Sequence, residues 1–311
     1  MGSRITRRDA LIGAGATGLA LSLPQSLGAR MSPPSANAYG DVRMHHIPSS
    51  GEALPPVGLG TSRVFNSVSG EDQRGALVEV LEALFAGGTL VDTSPMYGNS
   101  ETHLGELLPL AAGNKNMFCA TKVWTEGRAS GVRQMQESMD KMGVDRIDLM
   151  QVHNLLDWEV HLESMLEMQA EGKFHYLGIT TSNPRQFTDF ERVMQAADWD
   201  FVQLNYSLGE REAEQRLLPL AQERDMAVMV NRPFVRGALF RRVGRKPLPD
   251  VATELGCDSP AQVFLKWILG HPAITCVIPA TTKVKHMVDN LGAATGPLPD
   301  AEQRKRIEAW L

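Results

Sequence analysis

The sequence predicts a (β/α)8 TIM barrel, an α/β fold, entered through an N-terminal β-hairpin. Three observations carry that expectation. From about residue 57 onward, short apolar runs alternate with helical patterns, and such alternation implies a parallel sheet covered by helices. Eight units fit into roughly 250 residues, the usual size of such a barrel. Three consecutive strands also end on groups able to carry charge or protons, namely Asp92, Lys122 and His153. The carboxyl-terminal rim of a barrel is where catalytic groups collect.

The composition is compatible with one large domain. The chain has 311 residues, 43% of them hydrophobic, which is ample for a buried core. It carries 31 Lys and Arg against 36 Asp and Glu. That mildly acidic balance gives no support for nucleic acid or an anionic membrane as the main partner. Cys119, Cys257 and Cys276 are scattered and form no CxxC pair, so they read as core thiols rather than a disulfide framework or zinc site. The histidines show neither HxH nor HExxH spacing, and neither a P-loop nor a GxGxxG occurs. No metal is expected.

Residues 1–38 differ in character from the rest of the chain. Arg4, Arg7 and Arg8 form a basic start, and Ala10 to Leu23 is an apolar run too short to span a bilayer. Ala36-Asn37-Ala38 is an A-x-A cleavage pattern, and Leu27-Gly28-Ala29 is an earlier candidate site. This is the layout of a secretory signal. Arg7-Arg8, with Thr6 before and Leu11 after, resembles a twin-arginine signal, although Ala10 stands where Phe is usual. The expectation is a signal peptide over 1–38, cleaved after Ala38 or Ala29, and a barrel over 39–311. The twin-arginine translocation machinery would then export the folded protein to the periplasm, with no stable membrane span after cleavage.

Along the chain, Met44 to Thr61 reads as the hairpin, turning at Ser49-Ser50-Gly51-Glu52 and feeding a first strand at Val57 to Thr61. Leu77, Val80, Leu81 and Leu84 repeat at helical spacing within Glu71 to Phe85. Further strands are expected at Thr89 to Asp92, Met117 to Lys122, Ile147 to His153, Tyr176 to Thr180, Phe201 to Asn205, Ala227 to Val230 and Ile274 to Ile278. Helices are expected at His103 to Leu110, Ser130 to Met142, Val160 to Ala170, Pro184 to Ala196, Arg211 to Glu223, Pro260 to Leu269, Val284 to Leu291 and Ala301 to Trp310. The methionines of Ser130 to Met142 lie on one face and read as core filler.

At the first rim, Leu90-Val91-Asp92-Thr93-Ser94-Pro95-Met96-Tyr97-Gly98-Asn99-Ser100-Glu101 breaks a strand at Pro95 and places Asn99 or Ser100 to cap the next helix. This stretch resembles the aldo-keto reductase family. So do Gly58-Leu59-Gly60-Thr61, Ala120-Thr121-Lys122, Val144 to Leu149, Val152-His153, Gly178 to Pro184, Gln203-Leu204-Asn205-Tyr206-Ser207, Ile278 to Lys283, and Asp289-Asn290. The similarity covers about residues 42–311. The chain departs from it at Ala280, at Asn231-Arg232-Pro233-Phe234, and in the short segment Leu239 to Leu248.

The resemblance implies reversible hydride transfer between nicotinamide and a carbonyl or alcohol. NADPH is the expected cofactor, with NADH the other option. Tyr97 would donate the proton, Lys122 would lower its pKa, Asp92 would hold Lys122, and His153 would hydrogen-bond the substrate oxygen. Tyr206 would stack on the nicotinamide, and Ser182, Asn183 and Gln203 would contact its amide. Gly60, Thr61 and Asp92 would line the cofactor site. Thr281, Thr282 and Lys283 precede a helix N-terminus suited to phosphate, where Lys283, Lys285 and His286 would read a 2′-phosphate and Asn290 the adenine. Arg232 would touch the pyrophosphate or a substrate acid. Val64, Trp124, His153 and Trp158 would line the pocket for a small carbonyl substrate. A different class of function remains open on the sequence alone: a nucleotide-binding redox sensor or partner subunit with little turnover.

Overall fold

The computed structural model describes residues 41–311. The expected signal peptide lies outside the described residues. Strands β1 (His45–His46) and β2 (Ala53–Leu54) form the antiparallel hairpin. Eight parallel strands come next in the chain: β3 (Leu59–Gly60), β4 (Leu90–Asp92), β5 (Phe118–Val123), β6 (Ile147–His153), β7 (Phe174–Thr180), β8 (Phe201–Asn205), β9 (Ala227–Asn231) and β10 (Ile274–Val277). Their spatial order is their chain order. A parallel bridge between Val57 and Val277 joins the ends of the sheet, and the Gly58 amide donates to the Val277 carbonyl at 2.9 Å. An added Cβ at Gly60 would sit 2.9 Å from the Ile278 carbonyl oxygen, so the seam requires glycine there.

Helices α1 (Gly70–Phe85), α2 (Ser100–Leu107), α3 (Arg128–Met142), α4 (Trp158–Ala170), α5 (Phe187–Ala196), α6 (Leu217–Glu223), α7 (Ala238–Val243), α8 (Val251–Glu254), α9 (Pro260–Leu269), α10 (Val284–Leu291) and α11 (Ala301–Trp310) cover the sheet. Two differences from the sequence pattern stand out. The helix expected over Arg211 to Glu223 divides into a 3-10 turn, Glu212–Gln215, and α6. Arg216 leaves helical geometry between them, and its guanidinium bonds Glu191 and Glu223. The segment after Arg236 supplies the short helices α7 and α8, which bury Leu239, Val243, Val251 and Ala252.

Alternation along the strands sorts their side chains into two cores. Leu90, Phe118, Ala120, Leu149, Tyr176, Phe201, Ala227, Met229 and Cys276 fill the barrel interior. Ile47 and Leu54 of the hairpin join the same cluster, and the Tyr176 hydroxyl donates to Glu52 Oε2 at 2.6 Å. The hairpin therefore plugs the amino-terminal end. The intervening residues, such as Val91, Cys119, Met150, Ile179 and Val202, pack outward against the helices. Phe201 is fully buried in the interior cluster and touches the rings of Phe118 and Tyr176. Phe201→Ala is expected to lower the unfolding free energy by about 3–5 kcal/mol, read by urea denaturation. A loss below about 1 kcal/mol, no more than an interior that collapses to fill the gap would show, would remove the claim of close packing there.

Candidate active site

Counting upward in steps of two from the interior apolar residues leads directly to the site. Leu90 is followed by Asp92, Ala120 by Lys122, Leu149 by Gln151 and His153, Phe201 by Gln203, and Met229 by Asn231. The same parity that fills the barrel with apolar groups caps its carboxyl end with polar ones. Asp92, Lys122, Gln151, Gln203 and His153 are all buried.

Lys122 is fully buried and donates to both Asp92 carboxylate oxygens at 2.8 Å and to the Thr93 carbonyl at 2.7 Å. Burial alone draws its pKa down. Asp92, then the negative phenolate form of Tyr97, opposes this and leaves it above the ordinary lysine value. Lys122 is therefore a cation at neutral pH. Its ammonium lies 5.2 Å from the Tyr97 ring centroid.

Tyr97 ends a 3-10 turn, Pro95–Tyr97, whose start is capped by the Ser94 hydroxyl. Burial is the largest influence on Tyr97 and raises its pKa. The Lys122 charge pulls the other way without overcoming it. Lys122 thus acts in the expected direction, while desolvation is the larger influence, and Tyr97 keeps its proton more firmly than free tyrosine. His153 packs edge-on to Tyr97, with centroids 5.9 Å apart. Burial, followed by the Lys122 charge, pushes its pKa down to about 3. Its ring is neutral at physiological pH, and its Nδ1 lies 3.0 Å from Ser94 Oγ.

The expected cofactor residues divide into those presented at the rim and those committed elsewhere. Gly60 ends β3, and the Thr61 amide beyond it donates to the Asp92 carbonyl at 2.9 Å. The Thr61 hydroxyl is buried without a partner. Ser182 is half-buried, and its carbonyl accepts from Arg232 at 2.7 Å. Asn183 is exposed and caps a turn by accepting from the Arg185 amide. Thr282, Lys283, Lys285 and His286 are exposed at the start of α10, and Lys283 holds the N-cap position with no side-chain cap. The buried Thr281 hydroxyl accepts from the Lys283 amide at 3.1 Å, and Asn290 is buried on α10. Trp124 is 40% exposed and faces His153 with ring centroids 6.4 Å apart.

Two placements differ from the sequence reading, those of Tyr206 and Gln203. Tyr206 follows Asn205, so parity sends it outward. It is fully buried against Trp267, and its hydroxyl bonds Glu214 and Arg304. No face of it is free to stack on a ligand. Gln203 is part of the floor: its Nε2 donates to Asp92 Oδ1 at 2.8 Å, and its Oε1 accepts from Thr180 and Asn231. Trp158 packs against the outer core, edge-on to Trp199, and Val64 also packs on that core. Two members of the site are absent from the sequence reading. Gln151 donates to Asp92 Oδ1 at 3.2 Å, and Asn231 donates to the Thr181 carbonyl while its own Oδ1 is buried without a partner. A polar residue at an inward position of an apolar strand was the available signal for both.

Known proteins share this arrangement of strands. Residues 56–310 match the Aldo/keto reductase family. Among curated relatives, the chain is 29% identical over 283 residues to the aldo-keto reductase str7 of Strobilurus tenacellus, spanning 78% of this chain and 83% of that one. It is 28% identical over 261 residues to the methylglyoxal reductase YeaE of Escherichia coli, spanning 80% and 89%. Its fold superposes on an aldo/keto reductase from Klebsiella pneumoniae, crystallised with NADP and acetate, with a TM-score of 0.71 at 24% identity, covering 86% of this chain and 95% of that one. A buried Asp–Lys pair beneath a tyrosine and a histidine, at the mouth of an eight-stranded parallel barrel and within a match of this extent, places the chain in the aldo/keto reductase family.

Proposed function

We propose that this chain is an NADP-dependent oxidoreductase acting on a small aldehyde or ketone. The observation that carries the reading is the convergence of Asp92, Lys122, Tyr97 and His153 at one barrel mouth. A bound nicotinamide would supply or accept the hydride. The protein must then steady the negative charge that develops on the carbonyl oxygen and deliver a proton to it. Tyr97, protonated through burial and 5.2 Å from a fixed ammonium, is suited to give that proton. The neutral His153 ring is suited to donate a hydrogen bond to the same oxygen.

The residues present fit a dinucleotide. The unpartnered Thr61 hydroxyl and Asn231 Oδ1 lie beyond or at the ends of β3 and β9, where polar groups of a ligand would complete them. The α10 N-terminus, with no side-chain cap and with Lys283 and Lys285 exposed, offers free amides and two cations to a phosphate. The NADP bound to the Klebsiella protein supports the choice of cofactor, and the methylglyoxal reductase relative supports a small reactive carbonyl. Trp124 at the rim suits a flat or apolar substituent.

Export through the twin-arginine route belongs to the same proposal. It rests on Arg7-Arg8, the short apolar run and the A-x-A pattern. A folded barrel carried across in this way would bring its cofactor with it.

Four experiments test these statements. Continuous NADPH oxidation with a reactive aldehyde is expected; a single enzyme-bound turnover would favour the sensor reading instead. Tyr97→Phe should lose roughly 10²–10⁴-fold in kcat while its NADPH affinity, read by fluorescence titration, stays unchanged; equal turnover would remove the proton-donor role. Replacing Lys283 and Lys285 by Ala should weaken NADPH binding about tenfold or more and leave NADH binding nearly unchanged, at about 1.5–3 kcal/mol per charged contact. Equal weakening of both would place the 2′-phosphate elsewhere. Arg7→Lys with Arg8→Lys should hold the protein in the cytoplasm on cell fractionation, and unaltered export would exclude the twin-arginine route.

A further inference from the structure

Ser94 is fully buried between two parts of the site. Its hydroxyl oxygen accepts the Met96 amide at 3.1 Å, and its carbonyl accepts the Tyr97 amide at 3.0 Å. Both bonds belong to the turn that carries Tyr97. The same hydroxyl lies 3.0 Å from His153 Nδ1. A serine hydroxyl has one proton to give, and a buried one needs an acceptor. Met96 offers the hydroxyl a donor. Among the described residues, the acceptor within reach of Ser94 Oγ is His153 Nδ1.

We propose that Ser94 is a positioning residue: by donating its hydroxyl proton to His153 Nδ1, it fixes the imidazole in the tautomer that carries its hydrogen on Nε2. The consequence for chemistry is direct. A neutral imidazole has one donor nitrogen and one acceptor nitrogen, and the bond made by one determines the role of the other. With Nδ1 held as acceptor, Nε2–H is the donor, and it makes no hydrogen bond among the described residues. It can donate to a substrate oxygen beside Tyr97. The opposite tautomer would present a lone pair to that oxygen and repel it. The low pKa of the ring supports the neutral form on which this tautomer depends. One side chain thereby ties the turn bearing Tyr97 to the protonation geometry of His153. The catalytic consequence rests on the reading of His153 as the group facing the carbonyl oxygen; the tautomer does not.

The test uses the full chain labelled with 15N-histidine. Long-range 1H–15N correlation spectra of the free protein report which ring nitrogen carries the proton, and His153→Gln assigns the signal. The wild type is expected to show Nδ1 unprotonated and Nε2 protonated. Ser94→Ala should shift the ring toward a mixture of tautomers and lower kcat roughly 10–100-fold, with NADPH affinity retained. Ser94→Thr, which keeps the hydroxyl, should restore both the wild-type spectrum and most of the rate. Nδ1 protonated in the wild type, or a Ser94→Ala spectrum identical to it, would overturn the proposal. Since the spectra need no turnover, a protein that reduced no carbonyl yet showed the expected tautomer and its loss would support the Ser94 bond and count against the reductase reading alone.

Discussion

The buried pair of Lys122 and Asp92 constrains everything else at the barrel mouth. An ammonium with no exposure to water is tolerated only if its charge is matched and its protons find acceptors. Here both carboxylate oxygens and the Thr93 carbonyl meet it. The carboxylate in turn needs donors, and Gln151 and Gln203 supply them. Gln203 is then held by Thr180 and Asn231. The network begun by one ion pair thus runs through β4, β5, β6, β7, β8 and β9. Removal of either charge would strand the other in an apolar barrel, a loss of about 3–5 kcal/mol in comparable buried pairs. The pair is a foundation for the site and a fastening for the strands that carry it.

Much of this was legible from spacing. A strand lets every second residue into the barrel, so one apolar interior residue fixes the parity of its neighbours. Leu90 predicts an inward Asp92, and Ala120 an inward Lys122. The same arithmetic corrects the reading of Tyr206. A tyrosine at a strand end suggests a stacking ring, but Phe201, Gln203 and Asn205 share the inward parity and leave Tyr206 facing Trp267. It also identifies Asn231, two residues beyond the interior Met229, as a rim group. Motif similarity led to the wrong side of the strand where counting would have led to the right one.

The parts that stayed illegible are those set by tertiary contacts. At the break, Arg216 makes ion pairs with Glu191, which comes from another helix, and with Glu223. Local helical periodicity holds no record of either. The fate of Gln203 is similar. Its position at a strand end suits a ligand contact, and only the assembled floor shows that its amide is already bonded to Asp92, Thr180 and Asn231. Arg232 is a third case. Its φ of +50° and its bond to the Ser182 carbonyl tie the loop after β9 to the loop after β7, a relation between segments fifty residues apart.

The electrostatics explain how one small volume can hold an ionised lysine, a protonated tyrosine and a neutral histidine. Burial acts on all three and disfavours charge on each. For Lys122 that penalty is offset by a carboxylate in direct contact. For Tyr97 the Lys122 charge offsets burial only in part, and for His153 the same charge adds to it, so both stay neutral. Lys122 and Asp92 cancel at a distance, which leaves the mouth without net charge from these four groups. Negative charge appearing on a carbonyl oxygen there would meet one like charge, Asp92, already paired with Lys122. It would find the phenolic proton of Tyr97 beside it and, as the phenol gives up that proton, an ammonium already fixed below the ring. The ammonium favours the phenolate only as it forms, so the interaction strengthens along the reaction rather than before it, which is the condition for lowering a barrier.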